Sequence, residues 1–193
     1  MPSASAPGPA LAPEARRTLL SLARQCIRHG IGQGCPLAVD PEAFDPALRE
    51  RRASFVTLNR DGKLRGCIGH LEPRQPLVAD VAENAFSAAF RDPRFPAVGA
   101  AEVDGLAIHI SVLTLPEPLV FGSEEELIDQ IRPGLDGLIL EEGPYRGTFL
   151  PAVWESLPEA RTFLAHLKGK AGLPPGYWSD SLRVLRYRTE SFS

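Results

Sequence analysis

The stretch LRGCIG, Leu64 to Gly69, sets a cysteine beside an arginine and two glycines. A thiol attacks as its thiolate, and thiolates form more readily near a fixed cation. Arg65 and Cys67, two apart on a strand, would therefore pair a nucleophile with its activator. Gly66 and Gly69 carry no side chain, which lets a ligand or another backbone come into contact. A plainer reading of the same residues is packing, with Cys67 as a small apolar group under a helix and Arg65 in a structural ion pair. A second stretch, DPRFP, Asp92 to Pro96, uses two prolines to hold Arg94 in one direction, as suits contact with a carboxylate or phosphate. Here too there is a structural alternative, with Phe95 as an anchor and Arg94 paired to Asp92 or Glu102. Nucleophilic catalysis also needs a base, and His109 and His70 are the candidates. His70 is three residues from Cys67, which on an extended chain places the two on opposite faces.

Other chemistries lack their signatures. No Cys-x-x-Cys pair occurs, and Cys26, His29 and Cys35 would give zinc three ligands, one of them on the apolar stripe of a helix. Neither GxxxxGK[ST] nor Gly-x-Ser-x-Gly is present, and the glycines of GIGQG lack the strand-then-helix setting of a dinucleotide site. No metal and no cofactor is expected.

The elements that must position these residues are legible from periodicity. PEARRTLLSLARQCIRHG carries Ala15, Leu19, Leu22, Ala23 and Cys26 at helical spacing, with Pro13 near its start and Gly30 as its stop. SFVTLNRDGKLRGCIGHL reads as a hairpin around Asp61-Gly62. With a two-residue loop, Arg65 and Cys67 would share a face with Leu58 and Val56. QPLVADVAENAFSAAFRDPRFP reads as a largely buried helix between Pro76 and Pro93, its polar residues Asp80, Glu83, Asn84, Ser87 and Arg91 forming one narrow stripe. LAIHISVL alternates as a strand with Leu106, Ile108, Ile110 and Val112 facing a core and His109 facing away. Further on come a short helix capped by Ser123 and Glu126, two strands around Gly143-Pro144, a helix stopped by Gly172, and a last strand over SLRVLRYRTESF. Hairpins interspersed with helices point to α+β rather than a doubly wound sheet.

Composition limits the setting. The formal net charge is -3 with 23% charged residues, so there is no global pull toward phosphate backbones and nucleic-acid binding is not expected. Arg49, Arg51 and Arg52 in RERRASF are read as a solvated charged face. The apolar runs are too short to cross a membrane, and MPSASAPGPALAP lacks the cationic and apolar stretches of an export signal. An odd cysteine count then points to free thiols in a reducing cytoplasm.

Taken in order, LRGCIG, DPRFP, ISVLTLPEP, DGLIL, FLPAVW and KAGL make the chain resemble the AMMECR family, component A of the AmmeMemoRadiSam system, from about Ala15 to Phe192. The resemblance implies a compact α+β fold with two unequal lobes, β-hairpins and flanking helices, and a groove bordered by the LRGCIG strand. It also implies neighbours, namely a Memo-like protein and a radical S-adenosylmethionine (SAM) protein, as partners. Through their motifs Asp136 and Lys170 join the candidate site. Relatives often carry Glu where this chain has His109, cysteine where it has Lys168, and a second proline where it has Ala97; Lys168 argues against an obligatory dithiol with Cys67.

The expectation is a disordered tail over residues 1–12 and one α+β domain over 13–193 whose two lobes share a core. A groove lined by Arg65, Gly66, Cys67, Gly69, Asp92 and Arg94, with Asp136 and Lys170, would bind an anionic or peptide-like ligand, Cys67 acting as nucleophile or covalent carrier in a modification reaction. The rival expectation is an adaptor that receives a partner protein in the same groove without chemistry.

Overall fold

The computed structural model describes residues 10–193. Of the tail expected over 1–12, residues 1–9 lie outside the described residues, while Leu11 is buried and its N–H donates to the Glu190 carboxylate at 3.0 Å. The described residues divide into two compact units, the larger over residues 10–113 with Glu190–Ser193, the smaller over Thr114–Thr189. Each has its own hydrophobic cluster.

In the larger unit, helix α1 (Pro13–Gln33) buries Ala15, Leu19, Leu22, Ala23, Cys26 and Ile27, the stripe its periodicity predicts. A single turn, α2 (Pro46–Arg49), precedes strands β1 (Ser54–Arg60) and β2 (Lys63–Gly69). Helix α3 (Leu77–Phe90) follows and stops before the Asp92-Pro93 pair, as a proline that disfavours helix in its predecessor requires. Gly30 does not end α1, contrary to expectation. The helix runs on to Gly34, whose φ of 68° makes the left-handed stop. Gly30 has a different use: a Cβ there would lie 2.3 Å from the Phe90 ring, so the missing side chain lets α1 and α3 pack closely.

Strand β3 (Ala107–Leu113) buries Ile108, Ile110 and Val112 on one face and leaves His109 half-buried on the other. With β8 (Thr189–Phe192) it completes a sheet in the order β2-β1-β3-β8, so β2 is an edge strand. The aliphatic face of this sheet, Val56, Leu58, Ile108 and Ile110, joins α1 and α3 in one core.

The smaller unit pairs β4 (Glu117–Pro118), β5 (Gly137–Glu142), β6 (Tyr145–Phe149) and β7 (Arg183–Tyr187) in the order β4-β7-β5-β6, with α4 (Glu124–Gln130) and α5 (Ala160–Ala171). Its core includes Leu138, Leu140, Leu164 and Leu167, with Trp154 stacked on Phe163 at 3.7 Å between centroids. The last strand expected from SLRVLRYRTESF is two strands of different sheets, β7 and β8. Arg188 separates them and exchanges hydrogen bonds with Thr114, 2.9 Å in each direction. Among the described residues no helix is long and apolar enough to cross a membrane.

Candidate thiol site on the four-stranded sheet

The β1–β2 hairpin turns on Asp61 and Gly62, both with positive φ (51° and 74°), as a two-residue turn of this kind demands. The register nevertheless departs from the simple reading. Asn59 faces Leu64 while Leu58 faces Gly66, so Arg65 is the extra residue of a β-bulge. Beyond the bulge the faces are exchanged: Gly66 and Ile68 oppose Leu58 and Val56 on the core side, and Cys67 opposes Thr57 on the outer side.

Two glycines in one strand are thereby explained. A Cβ on Gly66 would sit 2.1 Å from the Ala88 carbonyl oxygen of α3, and one on Gly69 would sit 2.3 Å from the Phe55 ring. The close approach anticipated from these glycines is made by the protein itself, a helix backbone in one case and an aromatic ring in the other.

The bulge also redirects Arg65. Its Nε and Nη2 donate to Glu102 at 2.9 and 3.1 Å, Nη1 donates to the Pro96 carbonyl at 2.8 Å, and Nη2 also reaches the Ala97 carbonyl. Arg65 therefore does not line an open groove as a free cation, because every nitrogen of its guanidinium is engaged in tying β2 to the segment that follows Pro96. The Arg65 hydrogen bond, with those from the Gly99 N–H and Arg60, holds the Glu102 carboxyl down to about 2.

Cys67 is half-buried on the outer face, and the Thr57 hydroxyl donates to its Sγ at 3.2 Å. Thr57 also faces His109 across the β1–β3 pair, so Cys67, Thr57 and His109 form a row over three strands. Neighbouring strands are about 4.8 Å apart, which puts His109 roughly 10 Å from the thiol with Thr57 between them. His70 does lie away from Cys67: its Nδ1 is 3.6 Å from Asp80 Oδ1 on α3.

The DPRFP loop grips the Cys67 backbone. Asp92 is buried, and its Oδ2 accepts the Cys67 N–H at 2.8 Å. Arg94 donates to both Asp92 oxygens, at 2.9 and 2.7 Å, and from Nη2 to the Cys67 carbonyl at 3.1 Å. The paired guanidinium holds the Asp92 carboxyl well below the usual carboxylate range. Arg94 thus has the structural partner weighed from the sequence, yet its side chain stays about half exposed (53%) beside the thiol strand.

The remaining expected residues belong to the smaller unit and have partners there. Asp136 is fully buried; its carboxylate takes the Arg132 guanidinium at 2.7 Å and its carbonyl takes Trp154 Nε1–H, also at 2.7 Å. Lys170 is exposed, its Nζ 5.0 Å above the Phe149 ring. Sequence reasoning missed a buried polar cluster. Asp80 Oδ2 accepts from the Ser54 N–H, the Ser54 hydroxyl and Asn84 Nδ2 at 2.8, 2.6 and 2.9 Å, so the supposed polar stripe of α3 turns partly inward. Arg52, read as solvated, is only 7% exposed. Among the described residues no three His, Cys, Asp or Glu side chains converge as a metal site would require.

A mixed sheet-and-helix protein in two units, with a half-exposed thiol on a strand clamped by an Asp-Pro-Arg loop, is the class that these observations define. The AMMECR1 family profile matches residues 20–192, and the chain belongs to that family. A protein of Methanothermobacter thermautotrophicus is 42% identical over 182 residues, covering 91% of this chain and 92% of the relative. One from Thermococcus gammatolerans is 42% identical over 185 residues, covering 90% and 87%. The crystal structure of the uncharacterised protein PH0010 from Pyrococcus horikoshii superposes with a TM-score of 0.76 at 39% identity, covering 90% of this chain and 88% of that one.

Proposed function

We propose that the outer face of the larger sheet binds an anionic or peptide-like substrate beside Arg94 and that Cys67 attacks its electrophilic centre. The observation that carries this reading is the double grip of Asp92 and Arg94 on the Cys67 N–H and C=O, which fixes a half-exposed sulfur in one place. In this reaction the half-exposed thiol gives its proton to water, the thiolate, stabilised by the hydrogen bond that the Thr57 hydroxyl donates to Sγ, bonds to the electrophilic carbon, and the leaving group departs with the electrons of its bond. Arg94 offers its exposed edge to the substrate's negative group. The resemblance to component A of the AmmeMemoRadiSam system supports a Memo-like or radical SAM protein as the partner that supplies or receives the substrate. Three free thiols support a reducing, cytoplasmic setting.

The second reading is an adaptor whose outer face receives a partner protein without chemistry. It is favoured by the separation of roughly 10 Å between His109 and the thiol, which leaves Cys67 without a base in direct contact. Alkylation of the three cysteines in the folded protein, followed by mass spectrometry across pH, separates the two. Labelling of Cys67 faster than in the unfolded chain at neutral pH supports the nucleophile. Protection of Cys67 until unfolding overturns it and leaves the adaptor, whose binding survives Cys67→Ser.

A further inference from the structure

A cavity of about 400 Å3 in the larger unit, bordered by Ala12, Ala15, Phe44, Leu48 and Arg52, is independent of the thiol site. Its size is within the range of small-molecule pockets, and most of its walls are aliphatic or aromatic. Two features give it polarity. Arg52 is buried, and its Nε donates weakly to the Leu113 carbonyl at 3.4 Å. Among the described residues no hydrogen bond or ion pair engages the two Nη nitrogens, and they are not enclosed, so they keep contact with the water of the cavity that Arg52 lines and are open to an acceptor there. Separately, α1 begins at this cavity without a side-chain cap. Ala12 is its N-cap, and Glu14 and Ala15 of its first turn line the wall, so the first turn of a 21-residue helix, where the dipole is positive, borders the cavity that Arg52 also lines.

We infer that this cavity binds a small monocarboxylate with an apolar body. The two carboxylate oxygens match the two free Arg52 nitrogens as a bidentate pair, and the hydrocarbon portion replaces water against Phe44 and Leu48. The fixed charges nearby limit the ligand's own charge. Glu14, Asp45 and Glu50 stand on the wall, and Glu190, held by Arg16 at 2.8 Å, is near enough to act electrostatically on Arg52. These carboxylates oppose a second negative charge, so phosphate and dicarboxylates are rejected while one carboxylate is accepted.

Isothermal titration of the full chain with 4-methylpentanoate tests this. The expected result is one site with a dissociation constant of about 1 mM or tighter, and no heat from 4-methylpentylamine or inorganic phosphate. Arg52→Met should weaken binding by about tenfold or more. Should that variant misfold, Ala43→Trp, at an exposed position on the cavity wall, should block binding while leaving the fold's circular dichroism unchanged. N-acetyl-leucine in place of the free acid distinguishes the end of a peptide from a free metabolite as the source of the carboxylate. Absence of carboxylate binding at about 20 mM, equal binding to Arg52→Met, or preference for the amine would each overturn the inference.

Discussion

Asp92 accepts the amide proton of Cys67 at 2.8 Å, and the arginine that this carboxylate holds donates back to the Cys67 carbonyl at 3.1 Å. The loop thus takes the place of a neighbouring strand on the free edge of β2. An edge strand otherwise offers its backbone to any passing chain, so this clamp protects the edge at the residue where the thiol must be held still.

Removing the Asp92 charge by Asp92→Asn should lower stability by about 2 kcal/mol at pH 7, because charge-assisted hydrogen bonds to a buried carboxylate are lost. The folded carboxyl lies below its ordinary value, chiefly through the Arg94 hydrogen bond. Its contribution is therefore complete above the unfolded value of ~3.9 and is lost as the pH falls toward the folded one. Glu102, held down to about 2, behaves alike in a window from ~4.3 downward. Urea unfolding at pH 7 and pH 3 checks both, since the gap between wild type and Asp92→Asn, and likewise that between wild type and Glu102→Gln, should narrow in acid. A gap that stays constant would mean that the carboxylate is not carrying the clamp.

The three thiols should separate by environment. Burial pushes Cys26 up to about 11, whereas Cys35 is exposed and Cys67 half-buried. Iodoacetamide should label Cys35 and Cys67 in the folded protein and Cys26 only on unfolding. Thr57→Val, which removes the donor to Cys67 Sγ, should slow Cys67 labelling about three- to tenfold. An unchanged rate would remove Thr57 from any role at the sulfur.

Two glycines of one helix should respond to alanine with opposite signs. Gly30→Ala drives a methyl into the Phe90 and Phe86 rings and should cost about 1 to 3 kcal/mol. Gly32 has nothing within 4 Å of a new Cβ, so Gly32→Ala should add about 0.5 to 1 kcal/mol through helix propensity. Thermal unfolding of both variants reads the two signs directly.

Lys168 is fully buried, 3.0 Å from Glu124, and its Nζ has no hydrogen bond among the described residues. Glu124 is 28% exposed and stays hydrated alone, so Lys168→Met strands no buried charge. The substitution should be neutral or stabilising by about 1 to 2 kcal/mol, as when buried ion pairs are replaced by apolar groups. A loss above about 3 kcal/mol in denaturant unfolding would show that the ion pair, despite its desolvation, holds the smaller unit together.

Local patterns were the most readable part of this fold. The alternation of β3, the Asp61-Gly62 turn and the Gly172 stop of α5 depend on residues close in sequence, and each stands as the pattern predicts. The features that escaped depend on distant partners. Arg65 bulges from β2 toward Glu102, 37 positions away, and that one displacement exchanges the faces of everything up to Gly69. Asp80 and Asn84 look like a solvent stripe until Ser54 is placed against them. Of the candidate site, the Asp92–Arg94 pair was legible as one of two alternatives. The engagement of Arg65 and the alignment of His109 with Cys67 through Thr57 required the register.

The split of the final strand governs the order in which the protein can be made. Residues 190–193 belong to the larger unit, so a nascent chain that has emerged only as far as Leu113 still lacks β8, and β3 waits with its outer edge unpaired. Leu11, at the other end of the same unit, waits as well for the Glu190 carboxylate that receives its amide, 179 positions later. Among the described residues the smaller unit is one segment, Thr114–Thr189, and all four strands of its sheet lie within it. On the ribosome, the half translated first is therefore the half finished last, and its open edge is the exposure that a chaperone would have to guard.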